Sequence, residues 1–294
     1  VCSSDLTKFM KNIVFIPNVD LGNGRNQPYH YSIKSWQNWC DKNNVQLVEW
    51  KDVITDPNHL KVTLQRYWVH DILEHNGIDY DQVLIVDADT IIHPDTPNFF
   101  LQTNGKFSVV VNNGCYEWTT RSIQCWGDAL FPNQPKIKTW NYFNGGFQIT
   151  NKTHKPFYDK VKNFYLTNID TINQWDAQIK AGTDQTIINY LTQQFDVDVN
   201  YLPECYNLQD LFRKNLLHIP GHSWFTDELH FVKAGWIYHF NAIPQNPRHV
   251  AYWLERTYNE LYPISNQIPK FSPISLDYFL NMEVANGGIS KQIL

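Results

Sequence analysis

No stretch of the chain approaches the roughly 20 consecutive apolar residues that a membrane-spanning helix needs. Cysteine is scarce: there are five (Cys2, Cys40, Cys115, Cys125, Cys205), with no CxxC pair and no zinc spacing. They read as mostly free thiols in a reducing, cytoplasmic compartment, with a Cys115–Cys125 pairing left open. Positive charge is not in excess, since 24 Lys and Arg face 29 Asp and Glu for a net charge of -5. That balance argues against broad binding to nucleic acid or anionic membrane, although a local basic patch can still hold phosphates. Internal repeats and low-complexity tracts are missing too. Aromatic residues are plentiful instead, at 15% of 294, and the length suits one large α/β domain or two small ones.

The opening Val1-Cys2-Ser3-Ser4-Asp5-Leu6 lacks an initiator Met and does not lead into the first strand. It resembles the translated tail of a sequencing adapter, so residues 1–6 read as a non-native scar. The expected domain then spans 7–262, with 263–294 a tail packed on it or extending from it.

Taken in order, Asn12 to Pro17 reads as a buried strand stopped by its proline. Pro28 to Asp41 carries Tyr31, Ile33, Trp36 and Trp39 on one helical face, and Val45 to Trp50 is a second strand. Leu60 to Leu73 reads as a second helix, followed by the strand Val83 to Val86. This alternation predicts a single Rossmann-like α/β domain with a mixed, mostly parallel central sheet flanked by helices. Ligands in such sheets sit at the carboxyl ends of the strands, where Asn18, Asp87 and Asp89 fall. Phe107 to Val111 is a further strand. Gly114 to Trp140 has three tryptophans and no clear period, so it reads as a long functional loop. Phe143 to Ile149 is a strand interrupted by Gly145-Gly146, and Pro156 to Leu166 and Asp184 to Gln194 read as helices. Val197 to Leu202 and Gly235 to Phe240 are late strands, before a helix over Pro247 to Tyr262.

The chemistry concentrates on Asp87-Ala88-Asp89-Thr90. Side chains alternate along a strand, so Asp87 and Asp89 point the same way. Two carboxylates side by side at the end of a buried strand repel, and a divalent cation with a taste for hard oxygen ligands removes the conflict. The alternative is an acidic turn with capping aspartates. His239 ends a late strand, where a histidine is commonly just a hydrogen-bonded core residue. Gly145-Gly146 marks either a close approach of ligand or backbone, or a plain β-bulge. Asp184, opening a helix, taken alone reads as an N-cap. Trp118, Trp126 and Trp140 read equally as an acceptor platform or as the filling of a satellite core.

These residues together resemble the retaining glycosyltransferases of family eight, with the GT-A fold, over most of residues 11 to 262. The resemblance rests on ordered motifs: Arg66 before the acidic strand, Asp87-Ala88-Asp89-Thr90, Phe143-Asn144-Gly145-Gly146, Asp184-Gln185 with Ile188-Asn189, Leu202-Pro203 with Tyr206-Asn207, and His239-Phe240. It implies that Asp87, Asp89 and His239 bind manganese (or magnesium) bridging the diphosphate of a nucleotide sugar, usually a uridine one. It implies donor contacts at Asn18, Arg66, Asn144, Gly145 and Gly146, with Asp184 on sugar hydroxyls and Gln185 beside the anomeric carbon. The expected reaction moves a hexose to a hydroxyl acceptor on a carbohydrate, a lipid-linked group or a protein, with retention and without direct contact to nucleic acid. Gln185 is expected to stabilise an oxocarbenium-like centre through its carbonyl dipole. The family's Gly and Lys-Pro after the histidine are replaced by Asn241-Ala242-Ile243-Pro244, which leaves Arg248 or Lys233 as the phosphate clamp.

Three other readings compete. The acidic phrase also resembles the opening motif of haloacid-dehalogenase phosphatases, with Asp87 as nucleophile, but that family places it on the first strand. A sugar nucleotidyltransferase would need a Gly-rich loop that Gly22-Asn23-Gly24-Arg25 echoes only faintly. A non-catalytic carbohydrate-binding protein would use the tryptophans alone.

Overall fold

Apolar β-branched runs build the centre of the molecule. The computed structural model describes residues 10–24, 26–217, 229–243 and 247–263. The expected scar, the tail beyond residue 263, Cys2, Arg25, Pro244 and the Arg248 side chain lie outside the described residues. The strands are β1 (Asn12–Pro17), β2 (Gln46–Trp50), β3 (Gln82–Val86), β4 (Thr90–Ile92), β5 (Phe107–Val111), β6 (Phe143–Asn151), β7 (Val199–Leu202) and β8 (Ile237–His239). The helices are α1 (His30–Asn43), α2 (Val69–His75), α3 (Tyr116–Leu130), α4 (Lys155–Ile179), α5 (Gln185–Gln194) and α6 (Pro247–Leu261).

Six strands form one sheet in the order β2-β1-β3-β6-β5-β7. β1 pairs parallel with β2 and β3, and β5 parallel with β7, while β6 runs antiparallel between β3 and β5. This is the expected α/β architecture with a mixed, mostly parallel sheet. β3 is buried at every position, as its uninterrupted apolar run requires of a strand covered on both faces. A second sheet pairs β4 with β8 antiparallel, in the register Thr90↔His239.

Two buried clusters line the faces of the large sheet: one gathers Ile13, Val83 and Ile85 with Tyr67 and Tyr165, the other Val14, Leu84 and Val86 with Trp36 and Trp39. A third cluster holds Ile91, Leu208, Phe231, Tyr238, Trp253 and Leu254, and so welds β4, β8 and α6 together. The four described cysteines are free, including Cys115 and Cys125. Among the described residues no helix is long and apolar enough to cross a membrane.

Several expectations need correction. The stretch from Gly114 is not a long loop: fifteen of its residues form α3. The buried face of α3 is Thr119, Ser122, Ile123, Trp126 and Gly127, spaced helically but mostly small or polar, so a search for apolar period passes over it. The single helix expected over Leu60–Leu73 is a 3-10 helix, Val62–Trp68, followed by α2. α4 runs on to Ile179, more than a dozen residues past Leu166, because Ile169 and Ile172 keep one face buried where the rest turns polar. The three tryptophans do not make one platform: Trp126 is fully buried, Trp118 half-buried and Trp140 exposed.

Candidate functional site

β3 delivers Asp87 just past its last buried residue, and the turn Asp87–Asp89 leads at once into β4. Pairing of β4 with β8 sets Thr90 opposite His239, and Phe240 donates its backbone N–H to the Asp89 carbonyl at 2.9 Å. A histidine far along the chain is thereby pinned beside the paired acids. One ligand atom from each of Asp87, Asp89 and His239 lies within 4.8 Å of the others.

The tautomer of His239 follows from its surroundings. The Gly146 N–H donates to Asn144 Oδ1 at 2.9 Å, and Asn207 Nδ2 donates to the same oxygen at 3.1 Å. That fixes the Asn207 amide, whose Oδ1 faces His239 Nδ1 at 3.1 Å, so Nδ1 carries the proton. Nε2 then points a lone pair toward Asp89 Oδ1 at 3.2 Å and Asp87 Oδ2 at 3.6 Å. It is buried and makes no hydrogen bond with either. Three electron-pair donors converging on one point call for a cation or a proton between them. Carboxylate oxygens and one imidazole suit manganese or magnesium, so the residues fit the metal that the motifs imply.

The electrostatics carry the same conflict. Burial pushes the Asp87 carboxyl above its usual range and outweighs the opposing pull of Arg66. Asp89 is buried as well, but the neighbouring His239 overcomes that effect and holds it below the usual range. Burial drags His239 down while the Asp89 carboxylate more than compensates, leaving the imidazole easier to protonate than normal.

Arg66 sits at 3% exposure in the turn of the 3-10 helix. Its Nε donates to the Thr63 carbonyl at 2.7 Å and Nη1 to the Gly145 carbonyl at 2.9 Å. The remaining nitrogen, Nη2, lies 2.7 Å from Asp87 Oδ1 and 3.8 Å from Asp184 Oδ2. Asp184 occupies the N-cap position of α5 but makes no side-chain capping bond, so the plain capping reading fails. Its backbone is held from behind by the Tyr165 hydroxyl, which donates to the Thr183 and Asp184 carbonyls.

The glycine pair bears on both sequence readings. Across β6 the register with β5 breaks, from Val109↔Gln148 to Val111↔Phe143, so the glycine pair lies in an irregular stretch wider than a plain bulge. On its other side a Cβ at Gly146 would stand 2.3 Å from Asp87 Oδ2 and 2.7 Å from His239 Cε1. The backbone must therefore be bare there for the acid and the imidazole to meet. Gly145 leans on α5, where an added Cβ would lie 3.3 Å from Gln185 Cα.

Gln185 faces the other way from expectation. Its Oε1 accepts from the Gly145 N–H at 3.1 Å and from Asn144 Nδ2 at 3.0 Å. The carbonyl is thus committed to the protein, and the end left buried without a partner is Nε2. In this arrangement the Gln185 carbonyl oxygen expected beside the anomeric carbon accepts two hydrogen bonds from within the protein. The Asn144 amide likewise spends its hydrogen bonds inside the protein, on Gly146, Asn207, Gln185 and, at 3.4 Å, Asn112.

Asn18 lines a cleft together with Tyr29, Thr63, Arg66, Asp87 and Asp89. Its Nδ2 donates to Glu49 Oε1 at 2.8 Å, so its own oxygen is the free acceptor. Arg66, Asp87, Asp89, Asn144, Gly145, Gly146, Asp184, Gln185 and His239 are all joined by direct contacts, and Asn18 shares the cleft lining with Arg66, Asp87 and Asp89. Asn207 and Glu49 were given no role from sequence. Asn207 stood within the quoted Tyr206-Asn207 motif, whereas nothing marked Glu49 among the partly buried residues of β2.

No protein-family model matches the chain, and no curated protein matches it by sequence. Solved structures do resemble it. A glycosyltransferase involved in the glycosylation of the major capsid of PBCV-1 aligns with a TM-score of 0.54 at 9% identity, over 83% of this chain and 98% of that one. The glycosyltransferase GlyE of Streptococcus pneumoniae TIGR4 aligns at 0.41 and 15% identity, over 90% of this chain and 67% of that chain. In backbone, and not in sequence, the chain is thus similar to a glycosyltransferase of known structure.

Proposed function

We propose that the chain is a metal-dependent glycosyltransferase with the GT-A fold. It moves a hexose from a nucleotide diphosphate sugar, a uridine one, to a hydroxyl acceptor with retention of anomeric configuration. The observation that carries this reading is the meeting of Asp87, Asp89 and His239 at the carboxyl end of the large sheet, beside the cleft lined by Asn18 and Arg66. When bound, a divalent cation supplies Lewis-acid stabilisation for the diphosphate that leaves the sugar.

The chain's own residues do the rest. Arg66 is a permanent charge, fixed by two backbone carbonyls, and needs no reorganisation to meet developing phosphate charge. Asp184 offers carboxylate oxygens to sugar hydroxyls. Gln185 braces β6 against α5. Asn144 and Asn207 form an amide relay, set by the Gly146 backbone N–H, that holds His239 with Nε2 toward the acids. Asn18 presents an acceptor to the nucleotide.

The test is release of UDP from UDP-glucose, UDP-galactose and UDP-N-acetylglucosamine with manganese, in wild type and Asp87→Ala. A slow, manganese-dependent release that Asp87→Ala abolishes supports the proposal. Near-normal release by Asp87→Ala removes the metal assignment. Preference for p-nitrophenyl phosphate would favour a phosphatase, and absence of both activities a carbohydrate-binding protein. A thermal-shift panel of the same nucleotide sugars with and without manganese reads the binding alone.

A further inference from the structure

The helix that sequence reasoning missed lies against the reacting end of the site. α3 is pinned to the turn between α4 and α5: Arg121 Nη1 donates to the Ile179 carbonyl at 2.9 Å, and Ser122 Oγ to the Ala181 carbonyl at 3.0 Å. That turn holds two left-handed residues, Lys180 (φ 49°) and Gly182 (φ 72°). A Cβ on Gly182 would stand 3.4 Å from Trp118 Cζ2 and 3.9 Å from Asp184 Oδ1. An indole edge and a carboxylate oxygen therefore flank one spot, and a glycine keeps it clear. Trp118 is half-buried and packs against the core. The Asp184 carboxylate makes no hydrogen bond among the described residues; its one ion pair is the 3.8 Å approach to Arg66.

We propose that Trp118 is a sugar-stacking residue, on which a pyranose packs its C–H face while Asp184 accepts from its hydroxyls. The inference rests on the glycosyltransferase reading and adds a binding residue to it. A flat apolar face beside a hydrogen-bond acceptor matches a pyranose, which carries C–H groups on its faces and hydroxyls around its rim. A phosphate would meet the repulsion of Asp184, and an alkyl chain would leave that carboxylate without a partner. The pyranose comes either from the donor or from a carbohydrate acceptor, and the two sources separate by experiment.

Isothermal titration with manganese present would compare wild type, Trp118→Ala and Trp118→Phe. The ligands are UDP, UDP-glucose, UDP-galactose and, with UDP bound, the free disaccharides lactose and cellobiose. With a donor pyranose, Trp118→Ala lowers the affinity for a UDP-sugar relative to UDP about tenfold. With an acceptor pyranose, that ratio holds while disaccharide affinity falls about tenfold. Trp118→Phe, which keeps a flat ring, recovers most of either loss while Trp118→Leu does not, a difference that a purely structural indole would not explain. Trp118→Leu keeps apolar volume against the core without the flat face, and carries the test should the alanine variant fail to fold. The inference is overturned when neither the ratio nor disaccharide binding changes in these variants. A wild type that binds no UDP overturns the glycosyltransferase reading, and this inference with it.

Discussion

Gly146→Ala is the sharpest probe of the site, because it adds one methyl group and no charge. That methyl would stand 2.3 Å from Asp87 Oδ2, 2.9 Å from Asp87 Cγ and 2.7 Å from His239 Cε1. Ordinary carbon contacts begin about 1 Å further out, so the acid and the imidazole must separate by about that much or β6 must move. β6 is buried along all but its last residue and paired on both sides, so it yields poorly. Overpacking of this kind costs about 1–3 kcal/mol, and 2 kcal/mol lowers Tm by roughly 4–8 °C in a domain near this size. Metal ligands displaced this way lose about 10- to 100-fold in affinity. Gly145→Ala is the internal comparison: its nearest contact, 3.3 Å to Gln185 Cα, asks for only a few tenths of an ångström. Manganese titration and thermal unfolding of both variants are the assays. Wild-type manganese affinity together with an unchanged Tm in Gly146→Ala would refute the reasoning, as would a larger effect at Gly145.

Other perturbations follow from the same geometry. Arg66→Met removes the charge 2.7 Å from Asp87 and is expected to slow UDP release about 10²- to 10³-fold, read by steady-state assay at saturating manganese. Asn18→Asp replaces a donor facing Glu49 with a second carboxylate; it should cost about 1–3 kcal/mol, and Glu49→Gln added to it should restore stability in urea titrations. His70 is buried between the Tyr80 hydroxyl and Thr150, and burial lowers its pKa to about 3. The unfolded chain therefore takes up this proton first, and stability falls as pH drops below about 6.5, by about 2 kcal/mol at pH 5. Measured between pH 7 and 5, His70→Gln should show a shallower loss than wild type; an equal slope removes this account.

How much of this was legible in the sequence depends on what each element buries. β1, β3 and β5 announce themselves because apolar or β-branched runs have few other ways to hide, and β1 and β5 fall at the expected bounds. The paired acids and the late histidine were legible through order and residue type. Their meeting depends on β4, a three-residue strand that straight after Asp89 gives no period to read. α3 stayed hidden since its inner face is closed by Thr119, Ser122 and Gly127 against α5 and the turn before it, a fit of small groups that hydrophobicity does not register. The direction of the Gln185 amide was beyond sequence altogether, since it is decided by one backbone N–H at Gly145.

The pairing of β4 with β8 divides the labour between the two sheets. All six strands of the large sheet are complete by Leu202, yet the imidazole arrives only with Ile237–His239, whose Tyr238 packs in the third cluster with Trp253 and Leu254 of α6. As the chain leaves the ribosome, a polypeptide ended at β7 would own the acids and the cleft wall but not the imidazole. Assembly of the Asp87, Asp89 and His239 cluster thus waits until synthesis has passed the closing ribbon.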